Sequence, residues 1–466
     1  MKRSTDMLKG PLWSGLITYT VPIILTSILQ LLFNAADLVI VGRFSGSINV
    51  AAVSATGAIT NLIINLFIGL SVGAGVTVAH ALGGNQSTEV HRIVHTALPT
   101  ALLGGVLLSV IGVLFSETFL TLMKTPVNVL PLSAKYMRIY FCGMTFTMVY
   151  NFCASILRAA GDTKSPLLFL TIAGVLNVVL NIFFVVSLKM TVDGVALATI
   201  ISQAVSAVLV VIALMRRNDA CKLTLRKMQF YRQPFFKIIR IGLPAGIQSS
   251  MFAISNVIIQ SSINSFDSEA LMSGNGAAGN IESFVYVLMN SFQQTAVNYT
   301  GQNMGAHQYD RIKKVYGLCL LYVTIAGLIA GSSVWYFGEE LLGIYITDSQ
   351  EAIRYGLIRF NHVALPYFVC GLMDVSTGSL RGLGASVTPM IISILGACGI
   401  RILWTYTIFQ IPQFHTPECL YTSYLISWSI TFIFQTLAFI TIYKKRVRTD
   451  KMIPHMPEFK KQGEIV

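Results

Sequence analysis

Charge is scarce in this sequence. Asp, Glu, Lys and Arg make up 11% of its 466 residues, against about 25% in an ordinary soluble domain. Such a chain cannot build the wetted surface that its length would need in water, which excludes a soluble enzyme. Cysteine is sparse as well. The seven present, at 142, 153, 221, 319, 370, 398 and 419, form no CxxC pair and lie mostly in apolar runs. They read as reduced packing residues, with neither a disulfide framework nor a zinc site. No GxxxxGK[ST] or HExxH occurs, so neither an ATP loop nor a zincin site is encoded. The one GxGxxG string, Gly274–Gly279, has no strand–helix unit around it and predicts no dinucleotide site.

What the chain has is apolar material: 54% of residues are of the AVILMFWYC set, with mean hydropathy +0.67. Apolar segments fall near 12–41, 51–79, 93–115, 133–157, 166–188, 193–215, 235–264, 277–303, 315–337, 357–380, 388–410 and 419–443. At about 20 residues per crossing these are twelve spans. The first run is too long for a signal-peptide core and lacks an A-x-A cleavage site, so it predicts a retained helix. Backbone facing lipid must satisfy its own hydrogen bonds, and no two-residue alternation is present, so the spans are helices.

The net charge of +13 is explained by position. With the N-terminus inside, 25 of the 33 Lys and Arg fall on the inner side. The positive-inside rule then puts both termini in the cytoplasm, in a cell (inner) membrane. The basic residues answer to the lipid bilayer, and no nucleic-acid partner is expected. The other eight are Arg43, Lys124, Lys135, Arg138, Lys189, Arg354, Arg359 and Arg401, the last within a helix. An acidic outer stretch, Glu339, Glu340, Asp348 and Glu351, fits this topology.

Internal repetition organises the chain. Pro22 returns as Pro244, and Gly83-Gly84-Asn85-Gln86 as Gly305-Ala306-His307-Gln308, both 222 positions on. Leu157-Arg158-Ala159-Ala160-Gly161 with Pro166 returns as Leu380-Arg381-Gly382-Leu383-Gly384 with Pro389, 223 on. The expected fold is all-α and integral to the membrane: twelve helices in two pseudo-symmetric six-helix halves. The lobes are 1–215 and 235–443, with a cytoplasmic linker 216–234 and a basic tail 444–466. Repeats with a site at their interface are a transporter architecture.

Asp37 leads the candidate residues, at the end of a polar stripe Ser27, Gln30, Asn34, Asp37 in the outer half of the first helix. An Asp at a helix centre costs about 2.5–3.5 kcal/mol on insertion scales, so such acids usually face a cavity and have a task. A carboxyl withdrawn from water can exchange a proton there. Asn177 and Asn181, and Thr199 and Gln203, are i, i+4 pairs on the fifth and sixth helices, each on one face. With Asp37 they offer oxygen ligands to H+ or Na+; interhelical hydrogen bonding is the equal alternative. In the second half, Glu282, Tyr286, Asn290 and Gln293 form a stripe. Asp374 precedes Arg381 by seven residues, as Asn151 precedes Arg158. These, with Arg401, are candidate cavity residues. For Glu282 the alternative is a solvated helix end, and for Asp374 an ion pair with Arg401. Arg158, Gly161, Arg381 and Gly384 belong to cytoplasmic turns, where Arg holds helix C-termini and lipid phosphates. Pro22 removes a helical hydrogen bond and predicts a hinge. His91 and His95 form an interfacial pair. Gly69/Gly73 and Gly242/Gly246 predict close helix packing.

These residues together resemble the multidrug and toxic compound extrusion (MATE) family, from about Gly10 to Tyr443. The likeness rests on Pro22…Asn34-Ala35-Ala36-Asp37…Val41-Gly42, on Ile156-Leu157-Arg158-Ala159-Ala160-Gly161-Asp162, on its copy Ser379-Leu380-Arg381-Gly382, and on Gln302-Asn303-Met304-Gly305. The resemblance implies a V-shaped twelve-helix antiporter expelling cationic amphipathic compounds by alternating access, driven by protons or sodium. It implies neither an enzyme nor a cofactor. It is most similar to the DinF-like branch, which implies cation chemistry at Asp37, Asn177 and Thr199. That branch has a second acid on the fifth helix where this chain has Asn181. The NorM-like branch has a glutamate on the seventh helix, absent between Gly242 and Ser265. His80 stands where the family often has Gln. The expected form is a monomer coupling through Asp37 alone. A lipid-linked precursor flippase would instead line its cavity with several Arg or Lys, and a multi-span membrane enzyme would need a catalytic cluster.

Overall fold

The computed structural model describes residues 5–123, 125–347 and 349–452. Lys124, Asp348 and the part of the expected tail from 453 to 466 lie outside them. The described residues are all-helical. In chain order the helices are α1 (Leu12–Ser45), α2 (Ser47–Gly83), α3 (Ser87–Leu122), α4 (Leu130–Cys142), α5 (Met144–Ala159), α6 (Lys164–Ile182), α7 (Val192–Met215) and α8 (Arg232–Asn264). There follow α9 (Glu269–Gly305), α10 (Tyr309–Tyr336), α11 (Gly338–Gly343), α12 (Gln350–Arg359), α13 (Tyr367–Gly382), α14 (Val387–Ser393), α15 (Ile400–Tyr406) and α16 (Pro417–Met452).

Nine helical stretches are long and apolar enough to cross a membrane, and two bent pairs raise this to eleven among the described residues. The pairs are α4–α5, bent by 47°, and α12–α13, bent by 41°. Both were expected as single helices. Gly143 sits at the first break, where an added Cβ would lie 2.5 Å from Ile200; Pro366 precedes α13 at the second. The segment 388–410 is likewise interrupted by a π turn, Ile394–Gly399. The twelfth crossing is α9, whose 37 residues are too polar to pass alone. It buries Asn275, Glu282, Gln293, Thr295, Asn298, Gln302 and Asn303. Packed among α1, α2, α10, α12 and α13, it needs no apolar coat, because its polar groups meet other helices instead of lipid.

Lipid-facing stripes are explicit elsewhere. Leu103, Val106, Leu107, Val110 and Leu114 of α3 are exposed at helical spacing, as are Trp13, Ile17, Val21 and Leu25 of α1. Glycine brings α2 and α8 into backbone contact: a Cβ on Gly69 would lie 2.2 Å from Gly246 N, and one on Gly246 2.0 Å from Leu66 O. The expected tail does not begin at 444, since α16 continues to Met452. Its Lys444, Lys445, Arg446 and Arg448 are therefore helical.

Helix α1 is divided between neighbours. Its lower part, Leu12, Leu16, Tyr19 and Ile23, shares a core with Met289, Phe292, Ala296 and Tyr299 of α9 and Ile312 and Val315 of α10. Its upper part, Ile40 and Val41, packs with Val185 and with Val195 of α7. Phe33 lies where a Cβ on Gly174 of α6 would be. The change of partner falls between Ile23 and Phe33, just beyond Pro22.

Candidate functional site

The upper part of α1 carries Asp37 to α6. Asn181 Nδ2 donates to Asp37 Oδ1 at 2.5 Å and to Asn177 Oδ1 at 3.2 Å; Asn177 Nδ2 donates to Thr199 Oγ1 at 3.4 Å. With its nitrogen facing two acceptors, Asn181 turns its own oxygen away, and that buried oxygen has no partner. The same holds for Gln203 Oε1, one turn beyond Thr199. The arrangement joins Asp37, Asn177, Asn181 and Thr199 and presents spare oxygen acceptors, a donor set suited to a proton or a hard cation. Asn34 is exposed and stands outside this chain. Tyr136 and Tyr140 of α4, stacked with ring centres 5.8 Å apart, lie within reach of the Asp37 charge. They were not among the expected site residues, because nothing in the sequence pairs α4 with α1.

The second group differs from expectation. Glu282 is neither a solvated helix end nor a free cavity acid. It is 3% exposed and held by Arg359, whose Nη2 and Nε lie 2.7 and 3.1 Å from its Oε2. Arg359 Nη1 donates to Asn275 Oδ1 at 2.5 Å, which also accepts from Tyr421 OH at 3.0 Å. The sequence had Arg359 among the outer basic residues; α12 instead carries it inward against α9.

Nor do Asp374 and Arg401 pair. Arg401 donates to Ser427 Oγ at 2.9 Å and lies over the rings of Tyr424 and Trp428, at 4.1 and 5.4 Å. Asp374 is 5% exposed, with one oxygen unpartnered. Arg381, on the same helix, is the cation whose field reaches it.

The turn arginines are not lipid-facing either. Arg381 is buried and donates to Gln248 Oε1 at 2.8 Å. Arg158 reaches α9 and donates to Gln294 Oε1 at 2.8 Å; Gln294 in turn donates to Asn290 and Asn290 to Gln293. Both arginines sit within their helices, so their side chains run along the bundle interior and away from the lipid. Gly161 and Gly384 do shape turns, at φ of 84° and 83°. Tyr286 is exposed beside Asp374, and among the described residues Asn151 bonds only within its own helix.

Both described ends of the chain lie at one end of the bundle, where Tyr443 donates to Tyr309 O and Thr5 N to Gly161 O. Most of the Lys and Arg gather at this basic end. Here helices from the two repeats are tied together. His80 Nε2 of α2 donates to Gly382 O at 2.6 Å, and Gln302 Nε2 of α9 donates to Ala159 O at 2.5 Å. Thr20 and Thr295 hydroxyls meet at 2.8 Å, and Lys237 pairs with Glu89 at 2.9 Å. His95, its ring tilted by 37° against that of His91, is buried well inside, where its Nε2 accepts from Thr224 N of the linker. Ser250 Oγ of α8 still donates to Leu62 O of α2 at 3.2 Å; beyond that, toward the far end where Asp37 and Glu282 lie, no hydrogen bond or ion pair joins the two repeats among the described residues.

A twelve-crossing helical bundle built from two repeats, closed at one end and lined with polar side chains, defines a secondary transporter. The chain belongs to the MatE family, whose model matches it twice, over residues 22–183 and 244–407. Members of this family are membrane transporters. Among its relatives, the probable multidrug resistance protein YoeA of Bacillus subtilis is 28% identical over 84% of this chain and 86% of its own length. The probable multidrug resistance protein NorM of Thermotoga maritima is 26% identical over 83% of each. A crystal structure of MATE in complex with MaL6 shares the fold, with a TM-score of 0.89 at 19% identity over 96% of this chain and all of that one.

Proposed function

We propose that this transporter exports amphipathic, cationic small molecules across the cell membrane in exchange for protons or sodium ions, with both termini in the cytoplasm. The relatives named as multidrug resistance proteins support small-molecule export, and the excess of Lys and Arg at the basic end supports the orientation. The observation that carries the coupling is Asp37. It is a carboxylate with no cationic partner among the described residues, held by an amide chain, on the same helix whose lower part seals the basic end. Loading Asp37 with a proton or ion removes its acceptor role toward Asn181 or redirects it. The upper part of α1 then shifts against α6, and Pro22, which lacks a backbone donor, gives way. The lower part leaves α9, and the segments 1–215 and 235–443 rock about the Gly69–Gly246 contact as two lobes of one monomer. Drive is sufficient, since one charge crossing 100 mV yields about 2.3 kcal/mol. In the C-terminal lobe, Asp374, Tyr286 and Asn290 meet the cationic substrate, while Glu282 is held by Arg359.

Everted vesicles with pH and sodium varied separately test this. Substrate uptake should follow one gradient in the native protein and vanish in Asp37→Asn at equal membrane abundance. Uptake by Asp37→Asn at the native rate overturns the assignment.

A further inference from the structure

Before α1, the described residues from Thr5 to Gly10 are held at several points. Met7 is 1% exposed, inserted into the core shared by α1, α9 and α10. Thr5 N donates to Gly161 O at 2.9 Å, on the α5–α6 turn. On the other side Asn303 Nδ2 donates to Met7 O at 3.2 Å. Arg311 of α10 spends its whole guanidinium on the same stretch: Nε to Met7 O, Nη2 to Lys9 O and Nη1 to Gly10 O, at 3.2, 3.1 and 3.1 Å. Asp6 folds it by accepting from Leu8 N and Lys9 N.

The segment therefore bridges the first repeat, at Gly161, and the second, at Asn303 and Arg311. Its attachment on the first repeat is next to Ala159 O, which Gln302 caps, and Arg158 O, which Tyr19 caps at 2.7 Å. The last two carbonyls of α5 and that of Gly161 in the turn beyond are thus met in sequence by α1, α9 and this strap. Carbonyls at a helix end lack partners within the helix, so separating the repeats here takes Gln302 from Ala159 O, and takes Thr5 N from Gly161 O if the strap stays with Arg311. Among the described residues no counterpart strap holds the second repeat in this way: there the linker is pinned to α3 by His95 and Thr96.

We infer that Thr5–Gly10 is the bolt of the gate at the basic end, with Arg311 the positioning residue that holds it, and that opening toward that side requires its release. This rests on the two-sided access proposed above but not on which ion drives it. It makes Arg311 a gating residue although its hydrogen bonds among the described residues go to neither Asp37 nor α9.

Hydrogen–deuterium exchange on the full chain in lipid nanodiscs tests it, comparing the native protein with Arg311→Gln, with Met7→Ser and with Lys313→Gln as an exposed neighbour. In the first two, exchange of residues 5–10 should rise about tenfold or more, and exchange of 155–162 and 299–307 should rise in step, since all open as one unit. Substrate turnover should change with KM held, and Lys313→Gln should match the native protein. Met7→Ser keeps the test decisive if Arg311→Gln fails to fold, because it loosens the strap without altering the guanidinium. Faster exchange confined to 5–10, with 155–162 and 299–307 unchanged, would reduce the strap to a packed end and overturn the inference. Unchanged exchange at 5–10 in both variants would overturn Arg311 and Met7 as its holders. An Asp37→Asn protein that transports at the native rate and keeps the strap response would refute only the coupling reading.

Discussion

His80 and Gln302 stand 222 positions apart, and each donates its side-chain N–H to a carbonyl at the end of a helix in the other repeat. The acceptors, Gly382 O and Ala159 O, are themselves equivalent by the repeat of 223. Two different side chains thus make one pseudo-symmetric pair of latches. Leaving a buried acceptor bare costs about 1–3 kcal/mol. Gln302→Leu and His80→Leu should each open the basic end measurably, read as a longer spin-label distance between α5 and α9. His80→Gln should behave like the native protein, since it restores a donor. An unaltered distance in both leucine variants would mean the latches do not hold the end closed.

Asn181 turns its amide nitrogen to Asp37 and Asn177 together. Asn181→Leu should leave folding intact but weaken or abolish coupled transport, whereas Asn181→Asp adds a second acid and should change the number of ions exchanged per substrate. Stoichiometry from reversal potentials in proteoliposomes checks this. Equal stoichiometry with equal rate would remove Asn181 from the coupling site.

Glu282 and Arg359 form a buried pair, and removing one charge from such a pair costs about 3–5 kcal/mol because the other is left unpaired. Glu282→Gln should therefore lower the melting temperature markedly, and Glu282→Gln with Arg359→Met should recover most of the loss. If Glu282→Gln is as stable as the native protein yet cannot transport, the pair serves substrate and not structure.

Gly246 packs against Leu66 O with no room for a methyl group. Gly246→Leu should separate α2 from α8 and greatly reduce the amount of folded protein. Gly276 of α9 has nothing within 4 Å of an added Cβ, so Gly276→Ala should be neutral or stabilise by about 0.5–1 kcal/mol. Folded yield by size-exclusion chromatography separates the two.

Asp37, Asn177, Asn181 and Thr199 were legible because an Asp and paired amides are rare in apolar runs, and i, i+4 spacing says which share a face. Glu282 with Arg359 was not, since no local pattern tells an acid on one helix which cation a helix some 77 residues later will bring to it. Arg359 lay in a window that looked like a loop edge, and tertiary packing carried it inward. Tyr136 and Tyr140 escaped notice for the same reason.

From composition alone came the membrane, the helical backbone and the number of crossings, because hydropathy and backbone hydrogen bonding act through neighbours along the chain. The 222-residue repeat likewise needed only the order of residues. Which partners α1 has above and below Pro22, which carbonyls His80, Gln302 and Arg311 reach, and which end of the bundle is shut were decided in three dimensions. Those depend on contacts between segments far apart in the chain, where the free energy belongs to the pair and to neither segment by itself.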